Sequence, residues 1–500
     1  MKRKLLILIL PLFLLFNVFC FAAVNPKNGN FYVGYMDFVF SNSPMKLQIS
    51  RTYNSKIADI GWFGVGWGSD YETYLITLPG GGVLMFNNGS GKRDVQKPKE
   101  WDMQDISVAI DELVTAMKTE GRLTTPDEIL KMKSRLLNDQ EVRHTYWKKY
   151  LNKGMVRNRV IAPGTKLYSS CGCGGFEYIV ATAEGFNRSN SNGNTEFFNL
   201  AGKLIKIEDA KGNSLNFEFS DSLFIKKISD NSGNFLLIDV NKNGRIIQVA
   251  DQKNRVAKYE YDQKNNLTYS CDIGAHIYRY EYDGNSNMTS IIYTDGQRMA
   301  IEYNKSGFAT KVIYRDSTST EYQYPSVSDT EYGSVVIQRN KKDSITSKES
   351  RWYSLKTDAI GTSWVWRLSL IINDKDSCIQ IFNEAHHRID TLFKNKEIYK
   401  YSYDIKGNLL KICEISGRCA DVIITDNLLK TITVESRNFN FSYDDKNTPL
   451  LVTTPSGASL NCPVNFSKAA TDAELTQLEL WLRVLSYTYI TDNIDNLWSR

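Results

Sequence analysis

Cys171 and Cys173 stand in a Cys-Gly-Cys-Gly-Gly run, the spacing in this chain most open to thiol redox chemistry or thiolate ligation of a metal. A tetrahedral zinc site needs four ligands, and no nearby Cys or His pair supplies the rest. Structural disulfides to distant cysteines are therefore the expected use of this pair. Cys413 and Cys419 flank a turn at Gly417, which suits a local cross-strand disulfide. His386 and His387 are adjacent, yet His386 falls where the surrounding repeats place turn residues. His144 lies in a helical stretch beside Arg143 and Tyr146, and His276 falls in a strand run ending at Tyr282. None of the four has a nucleophile motif nearby. Asp262, Asp283 and Asp404 could be read as paired carboxylates for glycoside hydrolysis, but they recur with the turns and are expected to cap them. Walker, dinucleotide-binding and HExxH patterns are absent. The chain is expected not to be an enzyme, and neither cofactor nor metal is called for.

The elements that must position these residues are mainly β. The chain has 500 residues, too many for one compact core, with 42% hydrophobic, 23% charged and 12% aromatic residues, including 28 Tyr and 23 Phe. That composition excludes a mostly disordered chain and favours strands over helix bundles. A period of 21 residues runs through Phe198, Phe219, Val240, Tyr261, Tyr282, Tyr303 and Tyr324. It resumes at Phe382, Tyr403 and Ile424, with Tyr443 after a slip of two. Around these anchors large apolar and polar residues alternate, as in Tyr259-Glu260-Tyr261-Asp262 and Tyr401-Ser402-Tyr403-Asp404. Four residues after the anchors come Gly202, Gly244, Asn265, Ser286, Gly307 and Gly407; fourteen after come Gly212, Gly233, Asn254, Gly296, Gly417 and Gly457, with Ala275 and Ser317 weaker. Gly and Asn suit positive φ, so each repeat has two turns and is a β-hairpin. Such hairpins bury a face only by stacking into a continuous sheet.

These residues resemble the YD repeats of the Rhs and teneurin-like family. The likeness spans roughly 196–325 and 380–457, with Tyr401 to Leu409 carrying the Tyr-x-Tyr-Asp and Gly-Asn-Leu signature. The N-terminal text Val24-Asn25-Pro26, Gly29-Asn30, Arg51-Thr52-Tyr53-Asn54-Ser55 and Gly61-Trp62-Phe63-Gly64-Val65-Gly66-Trp67 is similar to the opening domain of bacterial Rhs proteins. The resemblance implies a spiral sheet forming a shell, often around a C-terminal toxin. About forty residues follow the last repeat, and they lack the family's autoproteolysis signature, so a toxin domain is not expected here. Eighteen to twenty strands spaced about 4.8 Å apart would give a strip roughly 90 Å wide and a lumen about 30 Å across, filled by aromatics.

Lys2, Arg3 and Lys4, an apolar run from Leu5 to Phe16, and Ala22-Ala23 read as a signal peptide cleaved near residue 23; a retained anchor is the rival. A lipoprotein reading of Cys20 is weakened by Phe19 before it. Cleavage removes three of 61 basic residues and no acid, leaving 58 against 56, which gives nucleic acid and anionic membrane little to hold. Seven of the eight cysteines remain, an odd number, so at least one is free or pairs with another chain. The expected layout is a signal peptide at 1–23, an N-terminal β domain at 24–100, a helical insert at 101–160, repeats at 161–325, an irregular register break at 326–378, repeats at 379–460 and a helical segment at 461–500.

Three segments interrupt the repeats. Within 101–152, Thr125-Pro126-Asp127-Glu128 is a capping box leading into a stripe of Ile129, Met132, Leu136 and Leu137. Residues 325–350 read as a mobile loop or linker. Leu475, Leu478, Trp481, Leu482 and Leu485 form the apolar face of a C-terminal helix that either docks on its own sheet or lies in a partner's groove. Trp352, Trp364 and Trp366, at the register break, either pack the interruption or stack on sugars. The first functional expectation is an exported, non-enzymatic scaffold that binds another envelope or secreted protein, whether periplasmic, cell-surface or released. Carbohydrate binding and adhesion is the second, and a cargo-less remnant of a toxin shell the third. No membrane span is expected after signal cleavage.

Overall fold

The computed structural model describes residues 21–499 apart from 41–42, 58, 170–177, 190–192, 222–223, 358–362, 375, 385–386, 394–395, 405–408, 426–427, 445–448, 463, 466–471 and 487–497. Its dominant feature is one antiparallel strip of 32 strands, from Thr73–Thr77 to Ser459–Asn461, in which sequence neighbours are almost always sheet neighbours. At about 4.8 Å per strand it is roughly 150 Å long. The strip closes on itself: Tyr74 bridges Lys203, and the Leu75 N–H donates to Gly202 O over 2.8 Å. Eighteen to twenty strands was an undercount. The hairpins at 73–97 and 166–189 join the strip before the repeats begin, and pairing continues unbroken through the register break.

Each repeat is the expected hairpin. In Val256–Tyr261, Ala257 and Tyr259 are buried while Lys258 and Glu260 are exposed, so the pleat itself separates a covered inner face from a wet outer one. The two rows of turns lie on opposite rims. Gly202, Gly244, Asn265, Ser286 and Gly307 on one rim, and Gly212, Gly233, Asn254 and Gly296 on the other, all have positive φ. Ala275 and Ser317 adopt it too, at φ 60° and 68°, so the turn geometry holds even where the residue type favours it little. The turn aspartates act as caps. Asp262 Oδ1 accepts the N–H groups of Lys264 and Asn266, and its Oδ2 accepts the Asn266 amide; Asp283 repeats this with Asn285 and Asn287.

The segment 325–350 corrects the expected loop. It carries strands at Ser326–Ser328 and Glu331–Arg339, and a third strand, Ile345–Thr357, starts within it. With Ser363–Ile372 these form the longest hairpins of the strip, so the irregular insert expected at 326–378 is pleated sheet. Their residues are half-buried on both faces, which erases the period-two contrast that marks a strand in sequence.

Three cores result. The first joins a separate N-terminal sheet (Phe21–Asn25, Asn30–Val39, Gln48–Asn54 and Trp67–Gly68) to the inner face of the strip from Leu75 to Tyr322. The expected signal cleavage point falls inside the first strand of that sheet. The second core covers 401–464 and is closed by the C-terminal helix. The third seats a helical insert on the outer face of the first hairpin, through Ile76, Leu78, Leu84 and Phe86. The insert comprises α1 (Met103–Thr119), α2 (Pro126–Asn138) and α3 (Gln140–Asn152). The Thr125–Glu128 capping box forms as read, but Leu137 turns outward at 50% exposure while Leu136 is fully buried. Among the described residues no helix is long and apolar enough to cross a membrane.

Candidate functional site

The repeat anchors are structural, and the geometry shows why Tyr is used. Tyr261, Tyr282, Tyr303, Tyr324 and Tyr403 donate their hydroxyls to the carbonyls of Ile246, Leu267, Met288, Ala309 and Arg388, each fifteen residues back, over 2.6–3.0 Å. Tyr443, after the slip, reaches Leu429 O over 2.7 Å. Those acceptors lie beside β-bulges. Ile246, Leu267, Met288 and Arg388 are the residues opposite the bulged anchors Val240, Tyr261, Tyr282 and Phe382. Each hydroxyl thus stitches one repeat to the irregular point of the repeat before it. Phe198, Phe219 and Phe382 keep the ring without a hydroxyl to donate, and Val240 has neither.

The N-terminal sheet adds its own stitches along these same repeats. Its backbone meets the same row of bulges and turns. The Ile246 N–H donates to Trp62 O, the Ala309 N–H to Gly29 O, and the Val65 N–H to Asn265 O, at 2.9–3.0 Å. The Met288 N–H donates to the Tyr53 hydroxyl over 2.9 Å, and Lys56 Nζ to Ser306 O over 3.0 Å. Gly64, at φ +103°, must be glycine: a Cβ there would lie 2.4 Å from Asn265 O.

At the centre of this interface lies Arg51, fully buried. Its Nε donates to Asp37 Oδ2 over 2.6 Å, Nη1 to the Tyr280 hydroxyl and Nη2 to Ser270 Oγ, both over 2.8 Å. Tyr259 donates its hydroxyl to the same Asp37 oxygen over 2.9 Å. The guanidinium lies 4.3 Å from the Tyr35 ring centroid and 4.8 Å from that of Trp67. Burial by itself would lower the Arg51 pKa, but Asp37, Tyr280 and Tyr259 together outweigh it and the group is held well above its usual value. Burial, then Asp37, pushes the Tyr259 hydroxyl up; burial also takes Tyr280 up to about 12. These hydroxyls serve as hydrogen-bonding groups, not as acids or bases.

Tyr282 sits at the junction of ladder and interface, because its hydroxyl also accepts the Trp67 indole N–H over 3.0 Å. Tyr282→Phe would leave that buried donor unpaired and is expected to cost about 1–3 kcal/mol, whereas Tyr324→Phe, which loses the Ala309 contact alone, should cost about 1. Urea unfolding of both variants measures the difference.

The remaining sequence candidates separate. Cys413 and Cys419 form the local disulfide, facing each other across the hairpin with Cα atoms 4.1 Å apart. Closing so short a loop contributes about 2 kcal/mol by chain entropy, so Cys413→Ser should lower the unfolding free energy of the second core by that much in urea titration. Cys171, Cys173 and His386 lie outside the described residues. Cys271, Cys378 and Cys462 are free thiols. His387 stacks on Tyr403 at 4.7 Å, His276 Nδ1 meets Asp272 Oδ2 at 2.9 Å, and burial followed by Arg143 lowers His144 to about 3. Among the described residues no group of three or more His, Cys, Asp or Glu could hold a metal ion. Trp352, Trp364 and Trp366 are half-buried in the long hairpins, with Lys356 Nζ 4.5 Å from the Trp366 ring.

The C-terminal helix α4 (Ala473–Ser486) is capped by Asp472, whose carboxylate accepts the N–H groups of Glu474 and Leu475. Leu478, Trp481, Leu482 and Leu485 are at most 1% exposed and pack on the chain's own strands, with Leu475 partly buried beside them. This corrects the partner-groove alternative: the apolar face is spent inside the fold.

Sequence reasoning did not find Arg51 or Asp37. The available signal was a charge in phase with apolar neighbours, since Ile49, Arg51 and Tyr53 share one face of a strand.

No curated protein matches the chain. Residues 22–94 match a family model described as a domain of unknown function (DUF6531), and residues 189–362 match the Teneurin YD-shell model. Among solved structures, the chain is similar to TcdB2-TccC3 without its hypervariable C-terminal region, at 9% identity over 85% of this chain and 23% of that one, with a TM-score of 0.36. It is also similar to the Tc holotoxin pore of Photorhabdus luminescens, at 10% identity over 88% and 22%, with a TM-score of 0.24. The chain therefore spans under a quarter of the length of these proteins. Two separate family models, the 21-residue hairpins and the tyrosine ladder agree: the chain is a YD-repeat protein of the Rhs and teneurin-like family.

Proposed function

We propose that this YD-repeat shell protein is an exported, non-enzymatic scaffold that presents its strip to another envelope or secreted protein. The observation that supports this reading is where the reactive side chains go. Six repeat hydroxyls cap backbone carbonyls, Asp262 and Asp283 cap turns, and the buried Arg51 ties the N-terminal sheet to the repeats. Groups that could do chemistry instead build a stiff, self-capped coil. The basic start and apolar run of the first 23 residues favour export. Carbohydrate adhesion is the second reading, favoured by Trp364 and Trp366, which remain partly exposed on the 345–372 hairpin.

Crosslinked pull-down of the tagged mature protein from envelope and medium fractions separates the two. A single stoichiometric protein partner supports the scaffold. Recovery with glycan and no protein, reduced by Trp364→Ala and Trp366→Ala, supports adhesion. Turnover of an envelope substrate lost on Cys171→Ser, with folding intact, would overturn both.

A further inference from the structure

The outer face of the hairpin formed by Ile345–Thr357 and Ser363–Ile372 gathers three indoles and two cations. Tyr353 is buried and stacks on Tyr332 with centroids 5.1 Å apart, so it points inward while its neighbours Trp352 and Ser354 point out. Lys356 follows on that outer face and stands opposite Trp364, while Ser354 stands opposite Arg367. Trp366 is the extra residue of the bulge between those two pairs. Lys356 Nζ lies 4.5 Å from the Trp366 ring centroid, which sets both on one face and holds the ammonium close to the hairpin. Trp352 is seated by the strand beside it. Gly333 stands opposite, and a Cβ there would lie 2.9 Å from Trp352 Cε3. The indole therefore lies across the glycine, in the space a side chain would take, and is fixed before any ligand arrives.

We propose that this face binds an acidic glycan, with sugar rings laid on Trp352 and Trp364 and their carboxylates on Lys356 and Arg367. The inference rests on the adhesive reading above and names its ligand class. Aromatic faces alone suit any sugar, because each ring offers an apolar flank to stack on. The cations choose among sugars. On the same long hairpins Lys348 is already paired with Asp374, Arg339 with Glu321 and Arg351 with Glu349. Among the described residues no carboxylate pairs with Lys356 or Arg367. Glu331 faces Ser354 from the strand beyond, about 10 Å from Arg367 across the sheet. Two unpaired cations, diagonal neighbours across the hairpin, therefore stand among aromatic rings with their charge unspent. Ser354 and Ser369 add hydroxyls that both donate and accept, as sugar hydroxyls do. Two cations are few for a nucleic-acid backbone, which is held through many phosphate contacts. They match the sparser carboxylates of an acidic glycan, one to a sugar.

Biolayer interferometry of the full chain on polygalacturonate, alginate and hyaluronate, each beside its carboxyl-reduced form, tests this at about 0.1 M salt. The wild-type chain should bind at least one acid form roughly tenfold tighter than its reduced form. Lys356→Gln with Arg367→Gln should abolish that preference and leave the reduced form's affinity unchanged, whereas Trp352→Ala and Trp364→Ala should weaken both forms. If a variant does not fold, the wild-type chain carries the test, since raising the salt to about 1 M should erase the preference. Equal binding of acid and reduced forms overturns the acidic class and leaves adhesion standing. A preference that survives the paired Gln substitutions puts the sugar elsewhere on the strip and overturns this site. Binding to none of the glycans overturns the inference together with the adhesive reading.

Discussion

Replacing Arg51 by methionine should remove about 3–5 kcal/mol of stability, among the largest losses any single substitution in this chain can cause. The loss comes less from the broken attraction than from what remains. Asp37 would stay 2% exposed, its Oδ2 reduced to the Tyr259 hydroxyl and its Oδ1 already without a partner among the described residues. The other two acceptors suffer little, because Ser270 Oγ and the Tyr280 hydroxyl are 3.0 Å apart and can pair with each other. Arg51→Met combined with Asp37→Leu should therefore recover at least half of the loss, since a buried pair replaced by apolar volume is often neutral. Urea titration of the single and double variants closes the cycle. A single-variant cost under about 1 kcal/mol, or a double variant no better than the single, would mean that the pair is not what fastens the N-terminal sheet.

The repeats were legible in sequence because each hairpin copies the same two demands. A large residue must face inward at every second position, and a turn must reverse φ at fixed offsets, and both demands recur every 21 residues. Even Ala275 and Ser317, poor turn residues, could be placed by their neighbours' rhythm. The site was not legible for the opposite reason. Arg51 finds Ser270 and Tyr280 some 220 residues away, and nothing local distinguishes those two from other strand residues. The long hairpins at 331–372 escaped notice because neither face is fully covered, so Ser347, Lys348, Glu349 and Ser350 alternate nothing.

That uncovered stretch also divides the molecule. The N-terminal sheet closes the inner face as far as Tyr322, α4 closes it from Tyr401 onward, and between them no core residue cluster forms among the described residues. Repeat strips hold together through nearest-neighbour contacts, so two separately plugged halves joined by a thinner span should unfold separately. The disulfide, α4 and the second core then form one cooperative unit, and the Arg51 interface belongs to the other.

Trp481→Ala tests this division with a large, localised loss. Trp481 is completely buried among Leu478, Leu482 and the strands carrying Ile412, Ile432 and Phe439, so removing the indole should cost about 3–5 kcal/mol. Its N–H has no hydrogen-bond partner among the described residues, so packing, not polarity, sets the cost, and Trp481→Phe should lose far less. Hydrogen exchange should lose protection across 409–453 while 246–313 stays as in the wild type, and calorimetry should show one transition moving down and one staying put. A uniform loss over both halves would show that the strip unfolds as one unit. Unchanged stability would mean that α4 does not close the second core, and would free its apolar face for the partner groove that its packing here denies it.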